Sequence, residues 1–137
     1  MIIDTYTNLN RLLTNRTYTG LNNNTDIEYQ SIAFNPTGKE LFMSVDYLPT
    51  QADNLTKSIG DKYLLGIYQI TLFATKNNST IKINTLADEV LEQFANNTII
   101  SYNVNNIETI ILDSSLASLQ TSQDYISLPI TINFRSY

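Results

Sequence analysis

The clearest strand and the clearest helix of this sequence are neighbours, between Tyr63 and Phe94. In residues 66–75 apolar and polar side chains alternate, which predicts a strand with one buried face. In residues 80–94 apolar side chains recur at intervals of three and four, which predicts an amphipathic helix. A helix that packs on the sheet buries both apolar surfaces. We therefore expect this contact to form the core.

Three further segments complete the expected fold. Residues 40–48 and 125–135 alternate like strands, and residues 2–16 have apolar side chains at helical spacing, with Asp4 in the first turn. The predicted fold class is α+β, with an antiparallel or mixed sheet and with the N-terminal and central helices packed on one face. The residues expected to be almost fully buried are Leu72, Leu86, Val90, Phe94 and Ile130. The apolar stripe of the first helix is predicted to be Ile2, Tyr6, Leu9 and Leu13.

The remaining segments have weaker patterns. Residues 27–34 are consistent with a short, irregular strand, and residues 98–103 and 107–113 with a hairpin. Residues 114–124, rich in Ser and Gln, are predicted to be a loop. Pro129 lies within the last strand and has no N–H group. That strand is therefore either an edge strand or is paired so that position 129 need not donate.

The composition argues against an enzyme. The 137 residues suit a single domain, 1–137, and contain neither His nor Cys. Without them the chain has no imidazole base, thiolate nucleophile or thiolate metal site. We find no sequence pattern for a catalytic, cofactor or metal site. The carboxylates Asp88, Glu89 and Glu92 lie opposite the apolar stripe of the central helix, as on a solvated face.

Charge and hydropathy limit the possible partners. The net charge is −5, and basic residues form no cluster of the kind that grips a nucleic-acid backbone. No apolar run approaches the roughly 20 residues that span a bilayer, and the N-terminus does not resemble a secretion signal. We therefore expect a protein made in a cytoplasm that contacts neither nucleic acid nor membrane.

The order of elements resembles a family of small bacteriophage-related proteins, similar to the tail terminators of long-tailed phages such as lambda. The resemblance covers about residues 1–137. Its most specific pieces are Leu48-Pro49, the Gly66-X-Tyr-Gln-Ile motif and the closing Leu-Pro-Ile-Thr-Ile of residues 128–132. These short motifs lie within the predicted strands.

The resemblance implies a subunit of a hexameric ring on the end of the finished tail tube, which stops polymerisation and presents a surface to the head. Its partners would be further copies of itself, the tail tube protein and a head-completion protein. Its place would be the tail-neck junction of the virion, after assembly in the bacterial host cytoplasm. Two alternatives stay open: a head-completion or stopper protein of the neck, and a small-molecule-binding or enzymatic domain.

Residues 49–62 join two predicted strands by more chain than a hairpin needs. They form either a simple connection with a mobile tip or an arm that contacts a partner. In a ring, an adjacent subunit could supply the apolar groove and opposite charges that the isolated subunit lacks. The predicted subunit-interface residues are Asp53, Leu55, Lys57, Ile59, Asp61 and Lys62.

Overall fold

The computed structural model describes residues 2–30, 32–52, 63–76, 80–102 and 106–137. In chain order the elements are α1 (Ile2–Thr14), β1 (Ile27–Glu28), β2 (Leu41–Ala52), β3 (Tyr63–Thr75), α2 (Thr80–Gln93), β4 (Ile99–Ile100), β5 (Thr109–Leu116), β6 (Gln120–Thr121) and β7 (Tyr125–Ser136). These strands form one sheet in the order β1-β2-β3-β7-β5-β4, with β6 paired to β7. Only β1 and β2 run parallel, so the sheet is mixed. The predicted α+β class is confirmed.

Matching registers bring the apolar side chains of the three long strands into rows. Ile70 of β3, for example, lies between Val45 of β2 and Ile130 of β7. Because alternate side chains share a face, these rows form one continuous apolar surface under the helices. The five residues predicted to be almost fully buried all have 0% exposure.

Helix α2 covers this surface as the sequence predicts. Ile83, Leu86, Ala87 and Val90 are buried, whereas Leu91 is only partly buried. The ring of Phe94 stacks on Tyr68 of β3 at 5.8 Å between centroids. Asn97 adopts a positive φ of 68°, a conformation that Asn tolerates better than most residues, so the chain turns away after the helix.

Helix α1 is shorter than predicted, and its predicted apolar stripe is confirmed at Leu9 and Leu13 and, with partial burial, at Tyr6, but not at Ile2. It ends at Thr14, and Ile2 is 52% exposed. The buried residues are Asp4, Thr5, Asn8, Leu9, Leu12 and Leu13. Asn8 can be buried because its side-chain amide donates to Ile107 O and to Thr109 Oγ1, both at 3.2 Å. Those partners are about a hundred residues away, so local periodicity gives no sign of them.

Two segments with weak patterns differ from their predictions. Only Ile27–Glu28 of the expected strand at 27–34 pairs, parallel to β2. The loop predicted at 114–124 is wrong for residues 114–116 and 120–121, because β5 continues to Leu116 and β6 pairs with β7. Residues 117–119 and 122–124 lie outside the strands, as predicted. The chain thus follows one side of β7 and returns through residues 122–124. The predicted hairpin is confirmed for β4 and β5, which pair antiparallel.

Strand β7 is central, between β3 and β5, so the edge-strand interpretation of Pro129 is wrong. Ala117 N donates to Pro129 O at 3.0 Å, just after β5 ends. The N and O atoms of a residue in an antiparallel strand point to the same side. The ring nitrogen of Pro129 therefore faces Ala117, where the regular ladder has stopped. The second interpretation, pairing without a donor at 129, is correct.

Candidate interaction surfaces

The six predicted interface residues, Asp53, Leu55, Lys57, Ile59, Asp61 and Lys62, lie outside the described residues. The strands before and after these residues, β2 and β3, are described. Strand β2 extends to Ala52, which pairs with Tyr63 at the start of β3. The predicted connection at 49–62 is therefore four residues too long, because residues 49–52 belong to a strand. Ala52 and Tyr63, which flank residues 53–62 in the sequence, therefore lie side by side on β2 and β3.

The acidic face of α2 is not simply solvated. Both carboxylate oxygens of Glu89 accept from Thr19 N, at 3.1 and 3.4 Å, and Glu89 lies 3.6 Å from the Arg16 guanidinium. Gln93 donates to Leu12 O at 2.7 Å. Asp88 and Glu92 are exposed as expected, but Glu92 also pairs with Arg16, at 3.0 Å. This face of α2 is thus where the end of α1 is attached.

Three tyrosine hydroxyls hold α1 on the rest of the domain. Tyr18 donates to Leu13 O and Tyr47 to Ile2 O, both at 2.7 Å. Tyr68 donates to Asn10 Oδ1 at 2.6 Å. Burial raises the pKa of each hydroxyl well above its ordinary value, so these groups remain protonated donors at neutral pH. These three hydroxyl groups therefore have a structural role.

An aromatic cluster covers one end of the sheet face opposite the helices. Phe42 stacks on Phe73 at 4.8 Å, and Tyr125 meets Phe42 edge-on at 5.4 Å. Phe34 lies 5.5 Å from Phe42 and makes it a buried residue on the outer face. The sequence interpretation treated this face as polar and missed the cluster. The signal was present, since Phe42 and Phe73 occupy outward positions of adjacent strands.

An ion pair lies beside the aromatic cluster at this end of the outer face. Lys39 Nζ lies 2.8 Å from Asp26 Oδ1 and 5.6 Å from the centre of the Phe34 ring. Partial burial by itself raises the pKa of Asp26, but the hydrogen bonds from Lys39 and Asn22 and the charge of Lys39 lower it overall. The carboxylate is thus held ionised. We expect this pair to anchor the segment before β2.

The other end of the outer face is an open groove of about 450 Å³. Its apolar wall includes Leu65, Ile67 and Leu112, and its polar wall Thr50, Asp113 and Asn133. Asn133 donates to Asp113 at 2.6 Å. The groove lies beside the strand ends that carry residues 53–62.

A second hollow, of about 360 Å³, lies on the helix side of the domain. It is lined by Gly20, Leu41 and the first turn of α2, including Ile81 and Lys82. Lys82 Nζ is 3.5 Å from Glu40 Oε2, and both side chains are largely exposed. A pair so exposed contributes under about 1 kcal/mol and makes no specific anion site.

The described residues offer no group of three metal-ligating side chains. In the part of the chain that the structure describes, neither helix has the length and apolar content that crossing a bilayer requires.

Residues 9–134 match a family described as phage tail terminator protein. No curated protein matches the sequence. Seven chains of known structure are similar to it. One of them covers 99% of this chain and 93% of its own length, with a TM-score of 0.73 and 13% sequence identity. At that identity the likeness establishes the fold alone.

Proposed function

This chain belongs to the phage tail terminator protein family, and from that membership we propose that it ends the growth of a tail tube as a hexameric ring. Membership makes it a structural protein of a phage tail. The ring would bind the tube protein on one side and a head-completion protein on the other, at the tail-neck junction. The observation that carries the proposal is the extent of the family match, which runs from Leu9 within α1 to Phe134 within β7.

We propose that the chain has no catalytic role. Its sequence contains neither His nor Cys, and its buried tyrosines are fixed as donors to α1. A small-molecule or enzymatic function thus has no identified chemical group to carry it. A substrate screen in which one point substitution abolished turnover without unfolding the chain would overturn this proposal.

Within the ring, we propose that residues 53–62 supply much of the contact between subunits. The residues that flank them, Ala52 and Tyr63, pair with each other. Thr50 and Leu65, two positions further along these strands, line the outer-face groove. The apolar residues of the segment 53–62 are Leu55 and Ile59, and its charges balance. A neighbouring subunit could bury the two apolar side chains, with about 25 cal/mol gained for each Å² removed from water.

Sedimentation measures the extent of ring assembly and therefore tests this contact. We expect the double variant Leu55→Ser, Ile59→Ser to assemble less than the parent at low and moderate salt. The matched control is Ile2→Ser, Ile3→Ser, which removes two exposed isoleucines from α1. Because the chain carries a charge of −5, added salt should favour assembly of the parent. Equal assembly of the Leu55/Ile59 variant and the parent would exclude these residues as the interface.

A stopper of the neck is the second candidate, since it would also be a small ring-forming structural protein. The two functions predict different particles when the gene is inactivated. Loss of a terminator gives abnormally long tails. Loss of a stopper gives normal tails beside unjoined heads.

A further inference from the structure

The outer edge of β5 is open along most of its length. Strand β4 pairs only with Thr109 and Ile110, and the last contact with that segment is at Ile111, which exchanges hydrogen bonds with Asn97 and Thr98. A bulge follows at Leu112. Among the described residues, no strand pairs with this side of the chain from residue 112 to 121.

The backbone direction along this edge follows from one hydrogen bond. Ala117 N donates to Pro129 O, so Ala117 faces β7. In an antiparallel strand the N–H and C=O groups of successive residues point to alternate sides. The N–H and C=O groups of Ser114 and Leu116 therefore point outward, away from β7. They form a short, unpaired row of donors and acceptors.

Among the described residues, the opposite edge of the sheet is blocked, whereas this edge is interrupted only by the bulge at Leu112. Beyond β1, Tyr47 N of β2 donates to the side chain of Gln30 at 3.0 Å, and Pro49 has no N–H to offer. Natural sheets commonly protect their edges with proline, lysine or covering groups. Residues 112–121 contain no Pro, Lys or Arg.

Instead, the open edge is apolar and acidic. Leu112, Leu116 and Leu119 are 36%, 49% and 43% exposed. Exposed acidic residues flank them, and the chain has no Lys or Arg anywhere from position 83 to 134. Such an edge attracts a basic segment. A second copy of this chain, with a net charge of −5, is repelled by the same field.

We propose that the outer edge of β5 binds an extended, basic segment of another protein by strand addition. The partner's backbone pairs with Ser114 and Leu116, and its Lys or Arg side chains lie near the exposed carboxylate of Asp113. Leu112 also lines the outer-face groove, which gives a partner side chain an adjacent apolar site. This surface is present on the single subunit, so the inference does not depend on ring formation.

The probe is a capped seven-residue peptide of alternating Val and Lys. The control peptide has the same sequence but is N-methylated at alternate residues, which keeps its charge and removes the N–H groups of one edge. We expect the unmethylated peptide to bind the protein about tenfold or more tightly and to slow amide exchange at Ser114 and Leu116. Equal affinity of the two peptides, or protection elsewhere, would overturn the proposal.

Two variants test the edge itself. Ser114→Pro removes an outward N–H, and Leu116→Lys adds a charge at an exposed position in case the proline variant unfolds. Both should lose about tenfold or more in affinity for the unmethylated peptide, whereas the control Ser115→Ala should bind like the parent. Unchanged binding by folded Leu116→Lys would contradict strand addition. Protection of Ser114 that rises with protein concentration alone would identify a second copy, and not a basic partner, as the occupant.

Discussion

At the scale of single residues, Gly66 shows what the glycine of the Gly66-X-Tyr-Gln-Ile motif contributes to the sheet. A Cβ at this position would lie 2.6 Å from Leu48 O, 2.7 Å from Phe134 Cζ and 2.9 Å from Pro49 Cα. Gly66 is the register partner of both Pro49 and Phe134. The Leu48-Pro49 and Gly66-X-Tyr-Gln-Ile motifs therefore meet at one point of the sheet, where the Phe134 ring fills the space that a side chain would need.

Gly66→Ala should lower the free energy of unfolding by about 1–3 kcal/mol, because two of the three clashing groups are backbone atoms that cannot easily move. Urea unfolding measures the change. Ser44→Ala, on the neighbouring strand β2, is the control and should stay within about 0.5 kcal/mol of the parent. A Gly66→Ala variant as stable as the parent would show that this contact is looser than the geometry indicates.

The Asp26–Lys39 pair should make the free energy of unfolding depend on pH in the acidic range. The pKa of Asp26 is lower in the folded state than its ordinary value of 3.8, so the unfolded chain takes up the proton first. The contribution of the Asp26 carboxylate to the free energy of unfolding is therefore complete above pH 3.8. It is lost as the pH falls through the lower pKa of the folded state. Urea unfolding across this pH range should give a flatter profile for Asp26→Asn than for the parent. The exposed Asp46→Asn serves as control, and equal flattening in both variants would contradict a special role for Asp26.

At the scale of elements, the sequence predicts best what depends on local periodicity. The three long strands and α2 bury the apolar face that the sequence predicts. Strands β2 and β3 also carry Phe42 and Phe73 on the outer face, which the prediction missed. The other features of the fold depend on contacts with residues that are distant in the sequence. The end of β5 and strand β6 pair with β7 through their backbones, but their mostly exposed side chains show no apolar and polar alternation to reveal them. The buried Asn8 of α1 likewise depends on Thr109.

The helix face of α2 is the most sensitive part of the core. Val90 is fully buried against the sheet, so Val90→Asp places an unpaired charge in an apolar site at a cost of several kcal/mol. We expect circular dichroism to show loss of cooperative thermal unfolding. Asp88→Asn, on the exposed side of the same helix, should melt like the parent. A cooperatively melting Val90→Asp variant would refute the packing of α2.

At the scale of the whole molecule, alkaline pH should unfold the domain. Burial raises the pKa of Tyr18, Tyr29, Tyr47 and Tyr68 above the ordinary value of 10.0. Because the unfolded chain ionises first, their contribution is complete below pH 10 and is lost as the pH rises further.

An ultraviolet titration should therefore show some of the nine tyrosines ionising late, together with loss of structure. Tyr68→Phe removes one buried hydroxyl and should make stability less dependent on alkaline pH, at the cost of its bond to Asn10. Ionisation of all nine tyrosines in a single step with the fold intact would contradict their burial.

The proposed interaction surfaces differ in how far the sequence indicates them. The segment 49–62 is proposed from the sequence alone, because of its length and its lack of periodicity. The open edge of β5 is not recognisable, since which strand lies at an edge depends on the strand order of the entire sheet. The blocked edge of β2 depends similarly on Gln30, whose contact with Tyr47 crosses 17 positions of the sequence.

Tail length in a phage that carries this gene tests the central claim most directly. We expect electron microscopy of lysates with the gene inactivated to show abnormally long tails. A plasmid copy of the parent sequence should restore a uniform length, whereas the Leu55→Ser, Ile59→Ser variant should restore it poorly. Tails of normal length in the absence of the gene would contradict the assignment as a terminator.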